Sequence, residues 1–421
     1  MHFYTKIAHV LVQKIVSLSI QGSIMEELFA ISSTLIKQTE QTFRRFLFNT
    51  IDWDQRLIGL KGSRGTGKTT LLIQWLKESE IPMSQKLYLT LDDVYFSRKS
   101  LLETGSDLYK KGVKVLVLDE VHKYPNWSGE IKNLYDRYRD LKILFTGSSI
   151  IDISLQEGDL SRRALMYELP GLSFREYLEL TQGLNFPSFK LEELINQKDE
   201  IILRFPNDFK PYQFLDGYLK SGYYPFFMED ENNYHLRLRQ LVRLIVEYDM
   251  AELKGFDIRQ AKKMLQLLTV IAHQVPFKPN LSKLAQKTGL HRNSIANYLY
   301  FLKEARLIDL LHISSKSIAV LQKPEKIYID NPNLLNAMAE GKPSEGTIRE
   351  VFVNNQLRIA HKVQIPHKGD FIVDNAITLE VGGKTKKNHQ IEGIKDFYLV
   401  KDGAEVPFGN TLPIWLFGFL Y

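Results

Sequence analysis

The chain has 421 residues, 44% apolar and 25% charged, enough to bury more than one core, so two or three domains are expected. With 55 Lys and Arg against 49 Asp and Glu its formal charge is +6, mildly basic and compatible with a polyanionic partner. It contains no cysteine, which excludes disulfides and thiolate metal sites and suits a reducing, cytoplasmic setting.

Residues 1–24 read as an amphipathic N-terminal extension, or as sequence ahead of a true start at Met25. Gln13 and Lys14 interrupt the apolar run, no small-x-small cleavage site follows it, and it is too short to span a bilayer. Neither a cleaved signal nor a membrane anchor is expected.

The segment "RLIGL", Arg56 to Leu60, reads as a short buried strand, and "TTLLIQWLKES", Thr69 to Ser79, has helical spacing. Between them Gly62, Gly67, Lys68 and Thr69 satisfy G-x-x-x-x-G-K-[ST] at a strand-to-helix turn, which is the P-loop context. Glycines let backbone N–H groups turn inward around phosphates, and the helix that follows presents its positive dipole end. Gly62, Ser63, Arg64, Gly65, Thr66, Gly67, Lys68, Thr69 and Thr70 are therefore the expected ATP contacts. Lys68 would reach the β- and γ-phosphates, and the Thr69 hydroxyl would ligate Mg²⁺.

A second strand, "VKVLVLDE", Val113 to Glu120, is a continuous apolar run of the kind buried on both faces of a parallel sheet, with two carboxylates at its carboxyl end. Asp119 is expected to hold the Mg²⁺ shell and Glu120 to polarise the attacking water. A third strand, "LKILFTGSS", Leu141 to Ser149, ends in hydroxyls. Thr146, Ser148 or Ser149 could touch the γ-phosphate or the water, with Ser148 carried as the catalytic candidate, although small polar residues also end strands as turn formers.

The ordered set "GSRGTGKTT", "VLVLDEVHKYPNW", "ILFTGSS", "GDLSRRA" and "LPGLSFREYL" resembles the bacterial and archaeal AAA-type ATPases that carry an uncharacterised C-terminal domain. The resemblance extends over nearly all of the chain from Met25. It implies an AAA+-like core over residues 25–172, with the catalytic strand inserted between the P-loop strand and its neighbour. It also matches Thr146 to Ser149 to a sensor position, and Arg162 or Arg163 to an arginine finger acting on an adjoining subunit of a homo-oligomer. The plainer reading of Arg162 and Arg163 is a solvated basic pair.

Residues 173–260 are mostly helical in pattern, with a polar break at "NFPSFK" and an aromatic turn at "SGYYPFF", and are expected to form a helical lid. Residues 261–335 carry a helix-turn-helix signal. Leu281, Leu284 and Ala285 line a first helix, Gly289 marks the turn, and Ile295, Tyr298, Leu299 and Leu302 line a second. "LIDLLHISSKSIAVLQ" after it could form a β-wing. In a DNA-binding version His291, Arg292, Asn293 and Ser294 would face base edges or phosphates, and Lys283, Lys287 and Arg306 would add phosphate contacts. Winged helices also serve as docking modules, so the partner stays open here.

Residues 336–421 follow the order helix "TIREVFVNNQLRIA", strands "KVQIP", "DFIVDN" and "AITLEV", then "DFYLVK". This order resembles the PD-(D/E)xK nuclease fold, in which Glu350, Asp370 and Glu380 would gather around Mg²⁺. The lysine expected after Glu380 is replaced by Gly382, and Lys384 lies two residues late, so a nuclease fold without cleavage activity is the better expectation. The sequence thus points to an ATP- and Mg²⁺-dependent α/β protein acting on or near DNA. Two alternatives remain: a nucleotide-gated regulator with little turnover, and a DNA-processing nuclease.

Overall fold

The computed structural model describes residues 25–147, 160, 162–250, 258–314, 324–339, 341–386 and 396–421. The described residues divide into two compact units, 25–61, 68–147, 160 and 162–168 forming one, and 62–67, 169–250, 258–314, 324–339, 341–386 and 396–421 the other.

The first unit is a parallel α/β sheet. A helix over residues 25–38, α1, precedes β1 (Leu57–Lys61), α2 (Lys68–Glu78) and β2 (Lys86–Thr90). They are followed by α3 (Leu101–Lys110), β3 (Val115–Asp119), α4 (Trp127–Arg137), β4 (Lys142–Gly147) and β5 (Leu165–Glu168). The five strands run in the order β2-β3-β4-β1-β5, every pair parallel. All five residues of β3, "VLVLD", are buried, as a strand covered by helices on both faces requires. Leu116, Leu118, Ile143, Phe145, Trp127 and Ile131 belong to the apolar core on one side of the sheet.

This is the P-loop, AAA+-like core that the sequence leads one to expect, with one correction to strand order. The strand beside the P-loop strand is β4, in register Leu57↔Ile143 through Lys61↔Gly147, and the carboxylate strand β3 lies one place further out. The reason is that β4 is apolar on both faces and pairs with β1 on one edge and β3 on the other, so its hydroxyl end borders both. The outer strand β2 has its Tyr88 N–H taken by Ser32 Oγ at 2.9 Å, so α1 covers part of an edge that would otherwise be open.

In the second unit, α5 (Phe174–Gln182), α6 (Tyr212–Ser221) and α7 (Tyr234–Leu244) occupy the region expected to be the lid, and α7 continues into a π-helical turn, Ile245–Asp249. These helices do not keep a core to themselves. Phe174 and Phe186 stack edge-on to Phe419 at 5.9 and 5.8 Å, and Phe205 meets Trp415 at 4.9 Å. The described residues of segments 173–260, 261–335 and 336–421 fall within one compact unit.

Next come α8 (Ala261–Gln274), α9 (Leu281–Thr288) and α10 (Arg292–Glu304), then the antiparallel pair β6 (Ile308–Leu311) and β7 (Lys326–Ile329). Gly289 ends α9 at φ +63, the left-handed conformation that lets the chain turn at once into α10. His291, expected to face a partner, caps α10 by accepting from the Asn293 N–H at 3.3 Å and stays exposed. The strand paired with β6 is Lys326–Ile329, later than the expected wing segment, half of which lies outside the described residues.

Finally α11 (Pro332–Met338) and α12 (Glu345–Leu357) lead to β8 (Val363–Gln364), β9 (Phe371–Val373), β10 (Ile377–Gly382), β11 (Phe397–Lys401) and β12 (Thr411–Pro413). Their order is β12-β11-β10-β9-β8, with β8–β9–β10 antiparallel and β10–β11–β12 parallel.

Candidate nucleotide site

Strand β1 ends at Lys61 and α2 begins at Lys68, leaving residues 62–67 to make the turn. Gly62 has φ +153, and a Cβ there would stand 2.3 Å from the Leu169 carbonyl oxygen, so no side chain fits. Gly65 and Gly67 have φ +78 and +91. Thr66 is fully buried and its hydroxyl donates to the Ser63 carbonyl at 2.9 Å, closing the loop on itself. Lys68 is 5% exposed at the first position of α2, whereas Thr70 is exposed.

One loop side chain has a partner that the motif does not disclose. Arg64 forms a two-pronged ion pair with Asp249 at the end of the π-helical turn, Nε to Oδ2 at 2.8 Å and Nη2 to Oδ1 at 3.1 Å. Asp249 is 4% exposed, so this fork satisfies a buried charge. The aromatic turn at Tyr224 and Phe226 lies on the same loop, and the Phe226 ring is 2.9 Å from where a Cβ on Gly65 would stand.

The carboxylates come from the carboxyl end of β3. Asp119 Oδ2 accepts from the Thr69 hydroxyl and from the Tyr88 hydroxyl, each at 2.8 Å, and Oδ1 accepts from the Thr146 hydroxyl. The Glu120 N–H donates to Thr146 Oγ1 at 3.3 Å. Burial, and then the Asp119 charge, push the Tyr88 phenol far above its ordinary range, so it stays a donor. Glu120 itself is in the left-handed conformation, φ +53 and ψ +40, and His122 Nε2 lies 3.4 Å from its Oε2 with the imidazole fully buried. A non-glycine residue held there is a strained position of the kind that gathers at functional sites.

Thr69 and Asp119 are hard oxygen donors already within hydrogen-bond distance of each other, a set that fits Mg²⁺. The hydroxyl of Thr146 is committed to Asp119 and to the Glu120 backbone, so it organises the carboxylates. Ser148, the catalytic candidate on the same strand end, lies outside the described residues, as does Ser149. Of the two candidate finger arginines, Arg163 forks onto Asp136 of its own chain at 2.9 and 3.0 Å, and Arg162 is exposed. Sequence reasoning missed Tyr88, His122 and Asp249. Tyr88 and Asp249 are brought to their partners by strand pairing and chain return, for which no local pattern exists.

The C-terminal carboxylates also meet, on different terms. Lys326 Nζ stands 3.6 Å from both Glu350 and Asp370, the Tyr328 hydroxyl donates to Glu350 at 2.7 Å, and Lys386 Nζ reaches Glu380 at 2.6 Å. Burial, and then the Asp370 charge, raise the Glu350 carboxyl above its ordinary range, and burial raises that of Glu380. Lys384 lies along Gly403, so Lys386 is the lysine that fills this place. Among the described residues no group of three metal-capable side chains is arranged to hold a metal ion.

Residues 54–178 match the AAA domain family, and residues 213–345 match a domain of unknown function. An uncharacterized protein of Methanocaldococcus jannaschii is 28% identical over 289 residues, 65% of this chain and 60% of that protein, so the chain spans about three fifths of the curated relative's length. The Walker-type ATPase of Pyrococcus abyssi aligns over 72% of this chain and 99% of its own at 13% identity, with a TM-score of 0.40. The Aeropyrum pernix ORC1 protein in complex with DNA aligns over 67% and 86% at 13% identity and a TM-score of 0.29. No helix among the described residues is long and apolar enough to cross a membrane.

Proposed function

For a chain that carries an AAA-type P-loop domain over residues 54–178, we propose Mg²⁺-dependent ATP hydrolysis coupled to conformational change on or near DNA. The observation that carries this reading is the Thr69–Asp119 hydrogen bond of 2.8 Å, from the residue that follows Lys68 in the P-loop motif, with Glu120 next to Asp119 in the chain. Backbone N–H groups of residues 62–67 bind phosphate oxygens, and Lys68 neutralises the charge that moves onto them. Glu120 orients the attacking water and takes its proton. Thr69 and Asp119 would hold Mg²⁺, which when bound would further neutralise the developing phosphate charge.

Coupling is supported by the Arg64–Asp249 fork and by Phe226 on Gly65, because a phosphate entering the loop acts on both at once. DNA as partner is supported by charge. Residues 261–311 hold eight Lys and Arg against two Asp and Glu, and Asp309 is buried. Arg292, Asn293, Asn297 and Tyr300 are exposed on α10, the helix that in a winged helix-turn-helix enters the major groove. Arg162, exposed and outside the Arg163–Asp136 pair, is the better arginine finger for a neighbouring copy in a homo-oligomer. The absence of cysteine fits a cytoplasmic setting.

The test is steady-state ATP turnover of wild type and Glu120→Gln, each with and without duplex DNA at low salt. DNA-stimulated turnover that falls by about 10²- to 10⁴-fold in Glu120→Gln, with ATP still bound, is the expected result. Negligible turnover in every case, with partner affinity changing on ATP binding, would replace the motor with a nucleotide-gated regulator.

A further inference from the structure

Tyr88 lies on β2, the outer strand of the sheet, with its backbone paired to Val117, and its side chain is 9% exposed. Its hydroxyl is 2.8 Å from Asp119 Oδ2, the oxygen that Thr69 also addresses. With the Thr146 hydroxyl on Oδ1, three donors from β2, α2 and β4 converge on one carboxylate that is 4% exposed. None of these donors carries a charge. A carboxylate can accept on both oxygens and at two lone pairs on each, so this set fixes its plane while leaving its negative charge uncancelled.

The three donors differ in freedom. Thr69 and Thr146 present hydroxyls on short side chains, and Thr69 is itself an expected Mg²⁺ ligand. Tyr88 presents a hydroxyl at the end of a rigid ring, anchored by strand pairing and by the bond from its N–H to Ser32 Oγ. Were the Thr69 oxygen to hold a cation, Tyr88 would be the donor on Oδ2 with no ligand role of its own.

We propose that Tyr88 is a positioning residue of the Mg²⁺ site, holding Asp119 oriented for the metal through its hydroxyl. The inference rests on the ATP reading above. Partners of this kind, one step removed from a metal, are typically worth about 10- to 100-fold in metal affinity. A purely structural hydroxyl, satisfied by the nearest buried acceptor, would not move metal affinity separately from nucleotide affinity.

The experiment is a titration of a fluorescent ATP analogue against wild type and Tyr88→Phe, over a range of free Mg²⁺ and in EDTA. Tyr88→Phe is expected to raise the Mg²⁺ midpoint by about 10- to 100-fold while leaving EDTA affinity within about twofold. A Tyr88→Phe midpoint equal to that of wild type, or an equal loss in EDTA, would overturn the proposal. A wild type that binds the analogue in neither condition would overturn the ATP reading and this inference with it, an outcome distinct from a variant that simply matches wild type.

Discussion

Asp119 and Glu380 stand at equivalent depth, 4% and 2% exposed, each towards the carboxyl end of a buried strand in a sheet with parallel pairing, yet their neighbours differ in kind. Asp119 is held by three hydroxyls, whereas Glu380 is held by the Lys386 ammonium at 2.6 Å, with Lys326 between Glu350 and Asp370. Hydroxyl donors orient a carboxylate and leave its charge for a cation to use. An ammonium already balances that charge and opposes the upward push of burial on the carboxyl, so the second group reads as an internally compensated cluster. Two similar sets of acidic residues in one sequence are thereby separated by their partners.

The strongest way to break this contrast is to neutralise one carboxylate in each place. Asp119→Asn should lower ATP turnover by at least about 10²-fold, because a metal contributes several kcal/mol of charge stabilisation in such reactions. Asp370→Asn should leave turnover unchanged. Equal losses, measured as steady-state hydrolysis, would mean that the C-terminal group also serves the ATP reaction.

A smaller effect is expected on stability. Lys386→Ala removes the cation from a buried Glu380 and should cost about 2 kcal/mol, read from urea unfolding midpoints, since a buried charged group left without its partner bears its desolvation cost. A variant as stable as wild type would show that Glu380 is held in some other way and would weaken the contrast with Asp119.

The smallest effect concerns pH. Glu350 is raised above its ordinary value of 4.5 by burial and then by the Asp370 charge, so the folded protein holds that proton more tightly than the unfolded chain. Its contribution is fully present below 4.5 and is lost as pH rises through the folded value. The stability of wild type relative to Glu350→Gln should therefore fall as pH is raised from 4.5, measured as the difference in unfolding free energy at successive pH values. A flat difference would mean that Lys326 and Tyr328 offset the burial completely.

The opening of α2 at Lys68 and the end of β3 at Asp119 were legible because each has a local cause: a glycine turn between an apolar strand and a helix, and an apolar run stopped by carboxylates. The helix-turn-helix was legible for the same reason, through the spacing of Leu281, Leu284, Ile295, Tyr298, Leu299 and Leu302 around Gly289. The strand order was not, since a strand's apolar pattern says that it is buried without saying which strand lies beside it. The lysine beside Glu380 was missed because a motif counts residues, while the turn after β10 carries Lys384 along Gly403 and returns Lys386 to the carboxylate.

By itself the sequence determined the phosphate-binding loop, the carboxylate strand and the residue types available for chemistry, because nearest-neighbour sterics, helix periodicity and strand burial act over a few residues. Only the tertiary structure decided which groups those residues serve. Tyr88 and Thr146 meet Asp119 across 31 and 27 positions of chain, and Arg64 meets Asp249 across 185. Such pairs are set by strand order and chain return, where burying one charge requires that its partner arrive from wherever the fold brings it.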